Sequence, residues 1–146
     1  LCYPADKGNV HMFLQLTTAY ISTAIVFFTI DFIWLSKMTG LFYRVRMGDM
    51  LLDQPNFAVA GAFYLVYVAG IVYFAVMPAL NSGQWTNALI SGAILGFVAY
   101  GTYDMTNLAT LKNWSWSLSI VDMLWGTFLT AVASTAGYFV TQKFIP

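Results

Sequence analysis

At 146 residues, the chain is 60% hydrophobic, 18% aromatic and 8% charged, with a mean hydropathy of +0.71; against roughly 25% charged residues in a soluble domain, this reads as a single-domain integral membrane protein. Six Lys and Arg balance six Asp, which leaves no basic excess to suggest a nucleic-acid partner. Cys2 is the one cysteine, His11 the one histidine and glutamate is absent, so an internal disulfide, a metal site and a haem or di-iron cofactor are not expected.

The chain starts at Leu1, and its first apolar run begins only after Met12. Residues 1–11 are expected to be a leader or tag remnant outside the fold. His11-Met12 matches a common cloning junction, and the competing reading is a targeting peptide removed upstream of Leu1. Residues 12–146 are expected to form one four-span transmembrane domain, with spans at about 13–35, 56–80, 87–109 and 118–140. Each is long enough, because about 23 helical residues at roughly 1.5 Å each exceed the ~30 Å hydrocarbon core.

The first connection, Ser36 to Pro55, mixes Leu41, Phe42, Tyr43, Met47 and Met50 with Arg44, Arg46, Asp49 and Asp53. This pattern predicts a short interfacial helix along the headgroups between spans one and two. The connections Asn81 to Thr86 and Thr110 to Ser117 are short and require antiparallel neighbours. The predicted fold is therefore all-α, an antiparallel four-transmembrane-helix bundle. Lys37, Arg44, Arg46 and Lys112 fall in the first and third connections, whereas Lys7 and Lys143 flank the other side. The positive-inside rule then places both termini on the non-cytoplasmic side.

Three aspartates, Asp31, Asp104 and Asp122, interrupt the spans near one face of the membrane. A carboxylate at mid-bilayer costs about 2.5–3.5 kcal/mol even on insertion scales, so three at one depth call for a shared site or for helix-to-helix bonding. Asp31-Phe-Ile-Trp34 and Asp122-Met-Leu-Trp125 repeat one pattern on the first and last spans, with carboxylate and indole on one helix face. If those antiparallel spans pack together, each indole N–H is placed to donate to the opposite carboxylate. Span three adds Tyr100, Gly101, Thr102, Tyr103, Thr106 and Asn107 around Asp104. Substrate-binding candidates are thus Asp31, Trp34, Tyr100, Tyr103, Asp104, Asn107, Asp122 and Trp125. Gly92 and Gly96, and the Gly126, Thr130, Ser134 series, read as helix-packing stripes. Trp85, Trp114 and Trp116 read as interface anchors, Arg44 and Arg46 as orientation signals, and Lys112 as an orientation signal or a counter-ion to Asp104 or Asp122.

Asp31-x-x-Trp34 is followed by Phe42-Tyr43, Phe63-Tyr64 and Met77-Pro78-Ala79-Leu80. Then come Gly96 through Tyr100, Tyr103-Asp104-x-Thr106-Asn107-x-Ala109-Thr110, Trp114 and Asp122-x-x-Trp125-Gly126. This ordered set resembles a bacterial family of small inner-membrane proteins, domain of unknown function 2177. The likeness runs from Met12 to Lys143. It implies a four-helix protein of the bacterial inner membrane and brings no activity, cofactor or catalytic residue with it; an organelle membrane is the alternative that goes with a targeting peptide removed upstream of Leu1.

Three functional classes remain open. One is an intramembrane site that binds or transports a small polar, cationic or lipid-like molecule, or relays protons. A second is an accessory subunit of a larger membrane complex, and a third an intramembrane lipid-modifying enzyme using an Asp as acid or base. The expected partners are the lipid bilayer, a small-molecule or lipid ligand, and a second copy or membrane-complex partner.

Overall fold

The computed structural model describes residues 5–146. Cys2 and the first four residues of the expected leader or tag remnant lie outside the described residues. From Ala5 onward the chain is almost wholly helical, and four of its helical stretches are long and apolar enough to cross a membrane. They are Lys7–Met50, Phe57–Ser82, Trp85–Thr110 and Trp116–Phe144.

Helix α1, Ala5–Met38, does not stop where the first connection begins. It continues through a π-helical turn, Thr39–Tyr43, into α2, Arg44–Met47, and a 3-10 turn, Gly48–Met50. The helix expected in this connection therefore forms as an extension of the first span, not as a detached segment. No proline interrupts Lys37 to Met47, and helical order first breaks at Gly48, whose φ of 53° is left-handed. After Pro55, the side chain of Asn56 accepts from the Val59 N–H (3.1 Å) and caps α3, Phe57–Ile71.

A second π-helical turn, Val72–Val76, joins α3 to α4, Met77–Ser82. Pro78 accounts for it: proline lacks an N–H, and its ring clashes with the carbonyl four residues back, so the wider turn relieves the ladder just before it. Gly83 ends α4 in the left-handed region (φ 69°), and the Gln84 N–H reaches back to the Ala79 carbonyl (3.2 Å). That reversal is tight enough to start α5, Trp85–Thr110, antiparallel to α4. Helix α6, Trp116–Phe144, completes the bundle.

Helices α5 and α6 form the most extensive pair, followed by α1 and α6. Small residues allow it. A Cβ on Gly92 would collide with Ser134 and come within 2.9 Å of the Thr130 carbonyl, one on Gly96 would meet the Gly126 carbonyl, and one on Gly126 would enter the Tyr100 ring. The stripes read from the sequence are thus points of backbone approach between α5 and α6. Ala19, Phe27, Val68, Ile71, Val76, Leu129 and Ala133 fill the interior. Phe13, Ile25, Phe32, Phe63, Val66, Tyr73, Ile94, Leu124 and Phe128 are exposed on the outside. An apolar surface this continuous is matched to lipid.

Candidate functional site

The three aspartates converge between the helices. Asp31 (α1) is 4% exposed, Asp104 (α5) is fully buried and Asp122 (α6) is half-buried. The Asp104 and Asp122 carboxyls lie within hydrogen-bonding range of one another, and Asp31 stands near Asp122 from α1.

The repeated Asp-x-x-Trp pattern builds the wall between α1 and α6. The indoles of Trp34 and Trp125 stack with ring centroids 4.1 Å apart and planes 8° from parallel. Trp125 Nε1 donates to Asp31 Oδ1 at 3.2 Å, as the antiparallel geometry predicts. The reciprocal bond is different. Trp34 Nε1 donates to the Tyr43 hydroxyl (3.1 Å), and that hydroxyl in turn donates to Asp122 Oδ1. Tyr43 is thus inserted where a direct indole-to-carboxylate bond was expected.

The π-helical turn explains its arrival. At about 100° per residue in a regular α-helix, residues nine apart point to opposite sides. Thr39–Tyr43 winds more slowly, because a π-helix closes its hydrogen bonds over five residues instead of four, and this swings Tyr43 back toward Trp34. Asp122 thereby gains a donor that α-helical spacing does not place there.

The remaining candidates divide. Tyr100 packs its ring over Gly126, and its hydroxyl is buried with no partner among the described residues. Tyr103 is 54% exposed, sets its ring edge-on to Trp114 at 5.7 Å and stands beside Asn107, so this pair forms the rim of the cluster. Trp114, expected as an interface anchor, donates to Ser119 Oγ (3.0 Å), and buried Ser119 donates to the Asp104 carbonyl (3.3 Å). That pair ties the end of α5 to the start of α6. Tyr64 adjoins Asp31 from α3, and Tyr67 exchanges a 3.0 Å hydrogen bond with Thr130.

Both Asp104 oxygens are buried without a donor among the described residues. Lys112, considered as a counter-ion, is exposed, and the ion pair seen among the described residues joins Arg44 to Asp53 (3.4 Å) instead. Two facing carboxylates are acceptors only, so the Asp104–Asp122 contact is satisfied when a proton or another cation sits between them. No group of His, Cys and Asp able to hold a metal ion occurs among the described residues.

The family profile described as "Predicted membrane protein (DUF2177)" matches residues 16–139, which take in every residue of the cluster. No curated protein and no solved structure matches the chain. With most of its length matched, the chain belongs to this family of membrane proteins.

Proposed function

We propose that the protein is an intramembrane proton-binding relay in which Asp104 and Asp122 share one proton and Tyr43, which donates to Asp122, is the next group able to pass it toward the membrane surface, held in place by the Trp34 indole N–H. The observation that carries this reading is the Asp104 carboxyl: fully buried, without a donor among the described residues, and set against a second carboxyl. A carboxyl pair with a shared proton is satisfied in a dry site, whereas two bare carboxylates there are not. Full burial of Asp104 favours a proton over a small organic cation, which needs a cavity of its own size.

Asp122 accepts from Tyr43, and Tyr43 accepts from Trp34, so a change at the dyad is felt along this chain at the end of the first span. Lys37, Arg44, Arg46 and Lys112 cluster toward that end in sequence. We assign it to the cytoplasmic side of a bacterial inner membrane, with both termini on the other side. Four short spans enclose little volume, and the broad apolar exterior suits a homo-oligomer or a larger complex in the bilayer.

Infrared spectroscopy of the protein in lipid nanodiscs tests the reading. A protonated carboxyl C=O band that shifts in deuterated water is expected in the wild type and is expected to be absent or displaced in Asp104→Asn and Asp122→Asn. An identical carboxyl spectrum in all three proteins would remove the proton-sharing pair.

A further inference from the structure

Beyond Met38 the first helical stretch is attached differently from the span that precedes it. Within α1, Ala19, Phe27 and Asp31 are buried in the bundle, but from Thr39 to Met50 no residue is. The inward side of this stretch is Phe42, Tyr43, Arg46 and Met47, each half-buried, while Leu41, Arg44 and Val45 are exposed. Among the described residues, two side-chain hydrogen bonds join it to α6. Tyr43 donates to Asp122, and Arg46 Nε donates to Ser117 Oγ at 2.8 Å.

Arg46 is held from two sides. Its guanidinium carbon lies 3.8 Å from the centroid of the Phe42 ring, one turn back on the same helix, and that ring meets the Tyr43 ring edge-on at 5.5 Å. On the other side, Ser117 Oγ also shares a 2.8 Å hydrogen bond with Ser115 Oγ, so the group that receives Arg46 is itself fixed at the start of α6. Arg44 has a different part. Two residues from Arg46, and so about 200° around the helix, it points the other way and pairs with Asp53 (3.4 Å) in the connection to α3.

The backbone makes Arg46 matter to Tyr43. The π-helical turn ends at Tyr43, and Arg44–Met47 is α-helical again. Tyr43 and Arg46, three residues apart, therefore stand on one side of a single rigid turn. A side chain that fixes one of them on α6 also fixes the other.

We propose, building on the proton-binding reading of the carboxyl pair, that Arg46 is a positioning residue for it: by clasping Ser117 it holds this turn against α6 and keeps the Tyr43 hydroxyl on Asp122. Arginine suits the task. A flat guanidinium stacks on Phe42 and donates from its edge at once, whereas a lysine ammonium is a point charge on a flexible stem and offers no such fork. Neither contact is strong alone at a membrane surface, and they hold the turn because no buried apolar side chain does so instead.

The test reads the Asp122 carboxyl carbon-13 signal of the full-length protein in lipid bilayers, with the displacement caused by Tyr43→Phe as its scale. Arg46→Gln and Ser117→Ala are each expected to give more than half of that displacement. Ser117→Thr keeps the hydroxyl and should leave the signal at its wild-type position, as should Arg44→Gln, which removes a neighbouring charge. Arg46→Lys keeps the charge without the fork and is expected to behave as Arg46→Gln does. In a Tyr43→Phe background Arg46→Gln should add nothing. The Asp31 signal, held by Trp125 within the spans, should stay in place throughout. An Asp122 signal unmoved by Arg46→Gln, preserved by lysine, or displaced equally with and without the Tyr43 hydroxyl would overturn the positioning role. An Asp31 signal that moves with that of Asp122 would overturn it too, because a general loosening of the bundle behaves that way. If the Arg46 series fails while Asp104→Asn still moves the Asp122 signal, the clasp alone has failed; if Asp104→Asn leaves that signal unmoved, the proton-sharing reading falls whatever the Arg46 series shows.

Discussion

Trp125 Nε1 donates to Asp31 Oδ1 at 3.2 Å, joining the last span to the first through a carboxyl that is 4% exposed. The same indole stacks on Trp34, so one side chain supplies both a polar bond and an aromatic contact to α1.

Trp125→Phe separates those two contributions. It keeps a ring against Trp34 but leaves Asp31 without its donor from α6. Interhelical hydrogen bonds in membranes average about 0.6 kcal/mol, whereas a stranded buried acceptor costs about 1–3 kcal/mol. Since Asp31 retains Tyr64 as a neighbour, a loss of roughly 1 kcal/mol is expected, between those two limits. Reversible unfolding in mixed micelles measures it, and an unchanged midpoint would mean that the bond contributes nothing.

Glycines give a contrast within one protein. Gly126→Ala drives a methyl into the Tyr100 ring, an overpacking expected to cost about 1–3 kcal/mol and to displace Tyr100. Gly70→Ala has nothing within 4 Å of the new Cβ and is expected to be neutral or to stabilise by about 0.5–1 kcal/mol through helix propensity. The same unfolding assay ranks them, and equal effects would contradict the close α5/α6 approach.

Tyr43→Phe removes the hydroxyl that links Trp34 to Asp122, and a shift in the Trp34 emission is the expected sign in a protein whose other tryptophans are replaced by phenylalanine. Deleting Gly40 takes the extra residue out of the π-helical turn and leaves Trp34 and Tyr43 eight α-helical residues apart, about 80° around the helix, so both stay on one side. The deletion is expected to keep the wild-type emission, unlike Tyr43→Phe. A deletion that shifts the spectrum as Tyr43→Phe does would show that the turn does more than absorb one extra residue.

Single-cysteine labelling from outside intact cells tests the proposed orientation. With Cys2 replaced, a cysteine at Gln142 is expected to react with an impermeant maleimide and one at Lys112 to be protected. The reverse pattern would invert the topology.

Much of the fold was readable because membrane physics leaves few choices. Apolar runs longer than the hydrocarbon core mark the spans, and short links such as Asn81 to Thr86 force antiparallel neighbours. The Trp125 to Asp31 bond was legible for a similar reason: two i,i+3 pairs on antiparallel helices have few ways to meet. Tyr43 was not. Its role depends on a π-helical turn that breaks the 3.6-residue period by which faces are assigned, and Thr39-Gly40 carries no distinct signal for one. The second π-helical turn has a sequence cause in Pro78, yet proline spacing alone does not say whether a helix kinks, stops or widens. Tyr64 and Tyr67 approach the cluster from α3, whose contacts follow from bundle packing and not from local pattern. Phe42-Tyr43 and Phe63-Tyr64 stood among the family-like motifs, and that was the one available pointer to Tyr43 and Tyr64.

The most direct measurement of the central claim is the carboxyl carbon-13 NMR signal of aspartate-labelled protein in lipid bilayers. The account predicts that Asp104 and Asp122 give shifts reporting one proton shared between them, and that Asp104→Asn moves the Asp122 signal. Two ionised carboxylates, with an Asp122 signal indifferent to Asp104→Asn, would contradict it.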